Sequence, residues 1–152
     1  MGWLNDPRVS RYLESRFETH TVESVTAFVQ EQLARGDVLM LAIVELSGEE
    51  HVGNIKVGPL SAHHGTADVG LLIGEPSAWG QGYGTEAIRL ATGLGFDRLG
   101  ARKLTASCYG DNRGSAAAFL RAGWNAEGVR PAQFVGADGH PQDQLMFGLE
   151  AP

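Results

Sequence analysis

The chain of 152 residues has one cysteine, Cys108, and can therefore form no internal disulfide and no cysteine-cluster zinc site. We accordingly expect a reduced, cytoplasmic setting. No apolar run approaches the roughly 18 residues that a membrane span needs. The first residues show no basic stretch followed by an apolar one, so no signal peptide is expected. Basic residues are outnumbered: 12 Lys and Arg against 18 Asp and Glu give a net charge of −6, which argues against nucleic acid as a partner.

The length and composition of the chain fit one folded domain over residues 1–152. Hydrophobic residues make up 43% of the chain, an ordinary share that excludes a disordered polypeptide. There is no internal repeat and no Pro/Gly/Ser linker that would separate two halves. Glycine is unusual, because its 21 residues are about twice the average usage of roughly 7%. The positions of these glycines therefore indicate where the chain makes tight turns or lets a ligand approach the backbone.

Hydrophobic spacing and turn residues predict an α+β fold with a mixed sheet and flanking helices. Helical spacing, with Thr21 as a cap and Gly36 as a stop for the second helix, predicts helices over 7–13, 22–35, 85–99 and 112–121. Strand-like runs bounded by Gly, Pro, Asp and Ser are found at 38–46, 51–57, 66–73, 103–108, 124–135 and 144–149.

A glycine-rich passage, Trp79 to Thr85, joins the third predicted strand to the helix that follows it. The first turn of a helix has four backbone N–H groups without partners, and glycines let a phosphate approach them closely. A tight turn capped by Thr85 explains the same residues. The spacing G-x-G-x-G lacks the dinucleotide fingerprint G-x-G-x-x-G, and without a lysine the passage is no phosphate-binding P-loop.

The passage resembles the acetyl-CoA signature of the GNAT superfamily of N-acetyltransferases, Arg/Gln-x-x-Gly-x-Gly/Ala. Gly82 and Gly84 fill the two glycine positions, while Trp79 stands where Arg or Gln is usual. The segment from Asn112 through Ser115 and Phe119 to Gly123-Trp124 resembles the asparagine-led helix of that family. The opening, Trp3-Leu4-Asn5-Asp6-Pro7, is similar to the branch that acetylates ribosomal-protein N-termini and nucleotide-linked amino sugars.

One element of the family pattern is missing. In the family, a strand of roughly ten residues precedes the Trp-x-Asn-Asp segment, whereas Met1 stands almost at that segment here. The resemblance therefore implies a central, mostly antiparallel sheet without its first edge strand. An exposed edge invites pairing, so either a partner chain covers it, as in a homodimer, or the true start codon lies upstream.

The resemblance implies acetyl-CoA as cosubstrate, with no metal. Its diphosphate is expected on the backbone amides of Gln81, Gly82, Tyr83, Gly84 and Thr85. Its pantetheine arm is expected in a gap where the strand 69–73 splays from the strand 103–108. The further residues expected to contact the coenzyme are Leu72, Ile73 and Gly74, one of which supplies an oxyanion-binding amide, together with Asn112, Ser115 and Phe119.

Transfer to an amine requires that a base remove a proton, because an amine of pKa near 10 arrives protonated at neutral pH. Asp68 is the first candidate, since many relatives carry a glutamate there that faces the acceptor. The loop histidines His63 and His64, expected at the mouth of the cleft, are the second, and Glu75 is the third. Each of these residues could instead be an exposed side chain without a catalytic role. The two histidines have no third ligand at metal-binding spacing.

The leaving thiolate would gain from an acid. Many relatives have a tyrosine where this chain has Phe119, which has no proton to donate. Ser115 is the preferred donor, with helix capping as its alternative role, and Tyr109 is a donor outside the family motif. Cys108 is interpreted as a small apolar residue of the sheet.

The sequence therefore predicts an acetyl-CoA-dependent N-acetyltransferase that acts on a primary amine by direct attack. A catalytically silent acyl-CoA-binding module is the alternative, which the missing strand and Phe119 favour. The acceptor stays open between a protein N-terminus, an amino sugar and a small amine. The aromatic residues of the N-terminal helices are either its pocket or core: Trp3, Tyr12, Phe17 and Phe28.

Overall fold

The structure is a computed structural model that describes residues 2–152. Its strands are β1 (Leu39–Glu45), β2 (Glu50–Val57), β3 (Thr66–Ile73), β4 (Lys103–Tyr109), β5 (Asn125–Val135) and β6 (Pro141–Glu150). Its α-helices are α1 (Pro7–Ser10), α2 (Val22–Ala34), α3 (Tyr83–Asp97) and α4 (Arg113–Arg121). Short 3₁₀ helices occupy Gly2–Asn5, Glu14–Phe17 and Pro76–Ala78.

The six strands form one sheet in the order β1-β2-β3-β4-β6-β5. Every neighbouring pair is antiparallel except β3 and β4, which run parallel. The predicted α+β class and mostly antiparallel sheet are confirmed. In the described part of the chain β1 pairs with β2 alone and is an edge strand.

The parallel pair β3–β4 is short. Only Thr66 to Asp68 pair with Lys103 to Thr105 before the two strands separate. From residue 69 onward β3 stays bonded to β2 while β4 stays bonded to β6. The sheet therefore opens into a gap at the carboxyl ends of β3 and β4, where the sequence predicted it.

The core lies between one face of the sheet and helices α3 and α4. Its most buried side chains come from both layers: Ile88, Phe119, Leu104, Val57 and Val69. Gly95 lets α3 approach closely, since a β-carbon there would lie 3.0 Å from Leu104 Cδ1. Burial of apolar area at roughly 25 cal/mol per Å² is the main force that holds this layer on the sheet.

The residues that precede α2, which we call the N-terminal segment, cover part of the opposite face of the sheet together with α2. Thr21 and Ser24 form a reciprocal capping box at the start of α2, as the sequence predicted for Thr21. Phe28 of α2 lies over the ammonium of Lys56 on β2, at 5.9 Å from the ring centroid. Trp3 packs directly on Gly74, where a side-chain methyl group would overlap its indole ring.

Several element boundaries differ from the sequence predictions, and three of them have a local physical reason. The first helix ends at Ser10, whose hydroxyl bonds back to the Asp6 carbonyl, and a 3₁₀ turn follows. Helix α3 begins at Tyr83, two residues early, because Gly82 adopts a left-handed conformation with φ of 96°. Strand β6 begins at Pro141, because its hairpin with β5 extends to Val135. Residues 2–152 include no helix of the length and apolarity that a bilayer crossing requires.

Candidate active site

A cavity of about 400 Å³ fills the gap between β3 and the start of α4, and we call it the cleft. Its walls are the end of β3, the glycine turn with the first turn of α3, the first half of α4, and the N-terminal segment. The sequence-predicted residues that it brings together are Leu72, Ile73, Gly82, Tyr83, Gly84, Thr85, Asn112 and Ser115. The cleft thus joins the end of β3, the glycine turn and the start of α4.

The first turn of α3 has no side-chain cap. Side chains cap the other three α-helices, with Asp6 before α1, Thr21 before α2 and Asn112 before α4. At α3 the N-cap is Gly82, and within residues 2–152 no side chain bonds to the first-turn amides. These amides border the cleft and carry the partial positive charge of the helix terminus. Amides without partners at the start of a helix of fifteen residues are suited to binding an anion.

Glycine is needed at two positions of this turn. Gly80 and Gly82 have φ of 75° and 96°, which residues with a β-carbon rarely adopt, and a β-carbon on either would meet nothing within 4 Å. The turn therefore presents bare backbone to the cleft. Gln81 does not contribute its side chain, because its amide donates to the Ser77 carbonyl at 2.6 Å. Trp79 lines the cleft and donates its indole N–H to the Ile73 carbonyl at 2.8 Å.

The hydrogen bonds of β3 show which amides face the gap. Gly58 donates to the Asp68 carbonyl and Gly74 donates to the Val52 carbonyl, at 2.8 and 2.9 Å. The register between these bonds is unbroken, so the even-numbered residues of β3 bond to β2. The amides of Leu71 and Ile73 point the other way, into the cleft. This corrects the predicted oxyanion donors: the amides of Leu72 and Gly74 are used by the sheet.

Asn112 and Ser115 stand at the start of α4, on the far wall of the cleft. The Asn112 side-chain oxygen accepts a bond from the Ser115 amide at 3.2 Å, so Asn112 is the cap and the Ser115 hydroxyl is not. The Cys108 thiol donates to the Asn112 carbonyl at 4.0 Å. Burial raises the pKa of Cys108 and the nearby Ser115 hydroxyl lowers it only in part, so the thiol stays protonated at neutral pH.

Phe119, predicted as a coenzyme contact, lies in the core. It is 1% exposed and packs against Trp124 and Phe147, with ring centroids 4.9 and 5.5 Å away. The face of α4 that carries Phe119 is the one turned to the sheet, because the apolar stripe of the helix must be buried. Phe119 therefore supports the cleft wall from behind and does not line it.

Asp68 lies on β3 at the last paired position before the strands separate, on the sheet face opposite α3. The Thr105 hydroxyl donates to its carboxylate at 3.1 Å. Partial removal of water by the surrounding protein raises the pKa of Asp68, and the Thr105 bond and the charge of Lys56 offset part of this rise. Gly70 follows on the same face, and a β-carbon there would meet nothing within 4 Å, so the surface between Asp68 and the end of β3 is open.

The histidine pair lies at the wrong end of β3. His63 and His64 form an edge-to-face ring pair in the loop before Thr66, where Arg102 bonds to the His64 carbonyl. The first residue of β3 that lines the cleft is Leu71, five residues beyond Thr66 and therefore about 17 Å along the strand. The expectation that this loop stands at the mouth of the cleft is wrong. Glu75, the third candidate, caps the 3₁₀ turn through Ser77.

A second cavity, of about 540 Å³, lies on the same sheet face as Asp68. Its walls come from the N-terminal segment, α2 and the first three strands: Gly2, Trp3, Leu4, Leu13, Ser15, Phe28, Met40, His51, Asn54, Lys56, Gly70, Leu71 and Leu72. Three of these, Leu13, Leu71 and Leu72, also line the cleft, so the two cavities adjoin at the end of β3.

The sequence did not single out His51 and Asn54, which pair on the floor of the second cavity. His51 Nε2 lies 2.9 Å from the Gly53 carbonyl oxygen and 3.0 Å from Asn54 Oδ1. Both oxygens are acceptors, so Nε2 carries the hydrogen and Nδ1 is the basic nitrogen of the neutral ring. Asn54 is directly opposite Leu72 in the sheet. Their only sequence signal was polar spacing within a short strand.

The N-terminal segment forms the roof that the two cavities share. Tyr109, at the end of β4, donates its hydroxyl to the Glu14 carboxylate and accepts a bond from Arg16 at 2.8 Å. Arg16 also donates to the Val135 carbonyl at 2.6 Å. The Tyr109 hydroxyl is thus committed to the roof, and burial raises its pKa. Tyr12 lines the cleft, whereas Phe17 is 73% exposed and lines neither cavity.

No metal site accompanies these features. Residues 2–152 contain no group of three His, Cys, Asp or Glu side chains placed to hold an ion. The polar groups that line the cleft are backbone amides and the side chains of Arg8, Tyr12, Tyr83, Thr85, Asn112, Ser115 and Arg121. This set suits an anionic ligand with a long polar arm.

Comparison with known proteins identifies the family of this chain. The model of a family described as "Acetyltransferase (GNAT) domain" matches residues 1–125. An uncharacterized N-acetyltransferase p20 of Bacillus licheniformis is 23% identical over 159 residues, which cover 97% of this chain and 83% of that protein.

Two solved structures share the fold. A GNAT-family acetyltransferase from Bacillus anthracis superposes with a TM-score of 0.79 at 19% identity, over 97% of this chain and 84% of its own. The spermidine N-acetyltransferase of Vibrio cholerae, in complex with CoA and spermine, gives a TM-score of 0.84 at 16% identity, over 98% and 86%. Since the family model matches most of its length, this chain belongs to the acetyltransferase (GNAT) domain family and is an acetyl-transferring enzyme.

Proposed function

We propose that this protein transfers the acetyl group of acetyl-CoA to a primary amine, without a covalent enzyme intermediate and without a metal. The observation that carries the proposal is the uncapped N-terminus of α3, which opens onto a cleft between two strands that have separated. A diphosphate needs the amides, and an extended arm needs the unpaired strand edge. The chain supplies both on adjoining walls.

The donor would lie along the cleft in a defined order. The amides of residues 82–85 hold the diphosphate, as helix termini hold phosphates elsewhere. The pantetheine arm takes the place of a strand beside β3, bonding to the amides of Leu71 and Ile73, with the Asn112 side chain on the opposite wall. The thioester then lies near the junction of the two cavities, and one of the two strand amides stabilises the oxyanion.

The amine would reach the thioester from the second cavity. Its nitrogen attacks the carbonyl carbon, the C–S bond breaks, and the nitrogen gives up a proton. Asp68 accepts that proton through water over Gly70, and the raised pKa of the carboxyl makes it a better proton acceptor than an ordinary aspartate. Ser115, whose hydroxyl faces the cleft wall, stabilises the departing thiolate.

For the acceptor, the names of similar proteins support an amine and no finer class. The opening Trp3-Leu4-Asn5-Asp6-Pro7 supports the branch that acts on ribosomal-protein N-termini and nucleotide-linked amino sugars. Trp3 also has a structural reason to be there, since it packs on Gly74 and against the His51 ring at 5.0 Å.

Incubation with acetyl-CoA and a panel of amines tests the proposal. Free thiol is followed continuously, and mass spectrometry identifies the acetylated amine at the end of each reaction. We expect thiol release that depends on the amine, with an amide product of +42 Da for one acetyl group. Tight CoA binding with no turnover on peptide N-termini, amino sugars, amino acids and polyamines would instead support the silent binding module.

A further inference from the structure

The second cavity carries information about the acceptor, because its wall has a lysine and no carboxylate. Lys56 and the imidazole of His51 line it, and no Asp or Glu side chain does among the residues that the structure describes. The chain as a whole has a net charge of −6, so a cavity wall without acidic side chains is a local departure from the surface around it.

Lys56 is held in this cavity without an ion pair. No carboxylate oxygen lies within 4 Å of its ammonium in the described part of the chain. Its cationic head lies over the Phe28 ring, and Asp68 on the neighbouring strand is the carboxylate whose pKa responds to its charge. Asn54 adds a second donor, since its oxygen accepts from His51 and its amide nitrogen is left to donate.

Apart from Ser15, the remaining side chains on the wall of the second cavity are apolar. The Phe28 ring lies 5.9 Å from the Lys56 ammonium, and Met40 is directly opposite Lys56 in the sheet. Trp3, Leu4 and Leu13 line the same cavity. Gly70 leaves open space on the floor between Lys56 and the end of β3. The volume of about 540 Å³ is within the range of small-molecule sites.

Building on the proposed function, we propose that the acceptor is a small amino acid-like molecule, with an aromatic or branched apolar side chain and a carboxylate that binds Lys56 and Asn54. The apolar group lies against Trp3 and Phe28, and the amine points towards the junction with the cleft. Polyamines are poor acceptors, because a second ammonium would enter a cavity that has a lysine and no carboxylate on its wall.

The chemical step balances with the groups already described. The amine nitrogen forms a bond to the acetyl carbon, the C–S bond breaks, and the sulfur keeps the electron pair as thiolate. One proton of the ammonium must leave before attack and a second leaves afterwards. Asp68 accepts one through water and releases it to solvent, and the thiolate takes up the other to leave as the thiol. No oxidant, reductant or metal is required.

Four amines separate the features of this proposal: L-phenylalanine, L-phenylalaninamide, L-alanine and spermidine. We expect kcat/KM to be at least tenfold higher for L-phenylalanine than for the other three. The amide lacks the carboxylate, alanine lacks the apolar group, and spermidine has extra positive charge. Spermidine as the best acceptor would overturn the proposal and leave the proposed function standing.

Variants of the two lysines supply the matched control. Lys56→Met keeps the apolar stem and removes the charge, and it should bring the preference for L-phenylalanine over its amide from tenfold to within twofold. Lys56→Arg should retain the preference. Lys103→Met makes the same charge change at an ion pair with Glu127 on β5 and should leave the preference unaltered. An unaltered preference in Lys56→Met contradicts the proposal.

A binding measurement separates this inference from the proposed function. If no amine in the panel releases thiol, calorimetric titration of L-phenylalanine into CoA-saturated protein decides. Binding that Lys56→Met weakens at least fivefold supports the assigned cavity even though turnover has failed. Absence of L-phenylalanine binding to the unmodified protein overturns it.

Discussion

A carboxylate placed at the N-terminus of α3 should compete with the coenzyme for its amides. Gly82 is the N-cap, its φ is 96°, and a β-carbon there meets nothing within 4 Å, so the variant Gly82→Asp adds charge without a clash. The new carboxylate would lie beside the first-turn amides that we assign to the diphosphate. It would both occupy those donors and repel the ligand.

The size of the effect follows from Coulomb's law. One carboxylate about 4 Å from one phosphate charge costs roughly 1 kcal/mol in water and roughly 4 kcal/mol at an effective dielectric constant of 20. The glycine turn is exposed, so we take the lower half of that range, about 1–2.5 kcal/mol. This corresponds to a roughly 5- to 60-fold increase in the Kd for CoA.

Two further variants isolate the charge from the backbone strain. Gly82→Asn adds a neutral side chain that tolerates the left-handed conformation, and we expect its Kd within about threefold of the unmodified protein. Gly100→Asp adds the same charge at the other end of α3, where φ is 68° and a β-carbon also meets nothing within 4 Å. Isothermal titration with CoA measures all three. Equal Kd values for Gly82→Asp and Gly100→Asp would refute the assignment of the diphosphate to these amides.

Three other substitutions test separate parts of the account. The pKa of Asp68 is raised in the folded protein, so its ionised carboxylate destabilises the fold at pH values above the ordinary aspartate pKa of 3.8. This cost disappears as the pH falls below 3.8. Asp68→Asn should therefore raise Tm at pH 7, leave it unchanged near pH 3, and lower kcat; a lower Tm at pH 7 would contradict the burial. Gly74→Ala should destabilise by about 1–3 kcal/mol in thermal unfolding, because the methyl group displaces Trp3, whereas Gly70→Ala on the same strand meets open space and should cost far less. Tyr109→Phe should destabilise by roughly 1–2 kcal/mol and change kcat less than twofold, since its hydroxyl joins the roof and lines neither cavity; a large loss of kcat would restore Tyr109 as the acid.

Local features of the site were predictable from the sequence because their physics is local. The glycine turn predicts backbone amides without partners at the start of α3, from residues within one turn of each other. Capping of α4, expected as an alternative role of Ser115, belongs to Asn112. The divergence of β3 from β4 was expected from the family resemblance and is confirmed by the pairing, which stops at Asp68.

The features that the sequence did not reveal depend on pairing between distant segments. Which amides of β3 face the cleft is fixed by the register with β2, and a shift of one residue would exchange Leu71 for Leu72. His64 was expected near the cleft because the loop precedes a functional strand, but the loop and the cleft occupy opposite ends of that strand. His51 and Asn54 became recognisable only when the second cavity placed them opposite Leu72.

The central claim is that bare amides at the start of α3 hold the diphosphate of the coenzyme. A crystal structure of the protein with bound CoA tests it most directly. The account predicts diphosphate oxygens within about 3 Å of the backbone nitrogens of residues 82–85, and the pantetheine arm bonded to the amides of Leu71 and Ile73. A coenzyme bound outside the cleft, or within it with the diphosphate away from these nitrogens, would contradict the account.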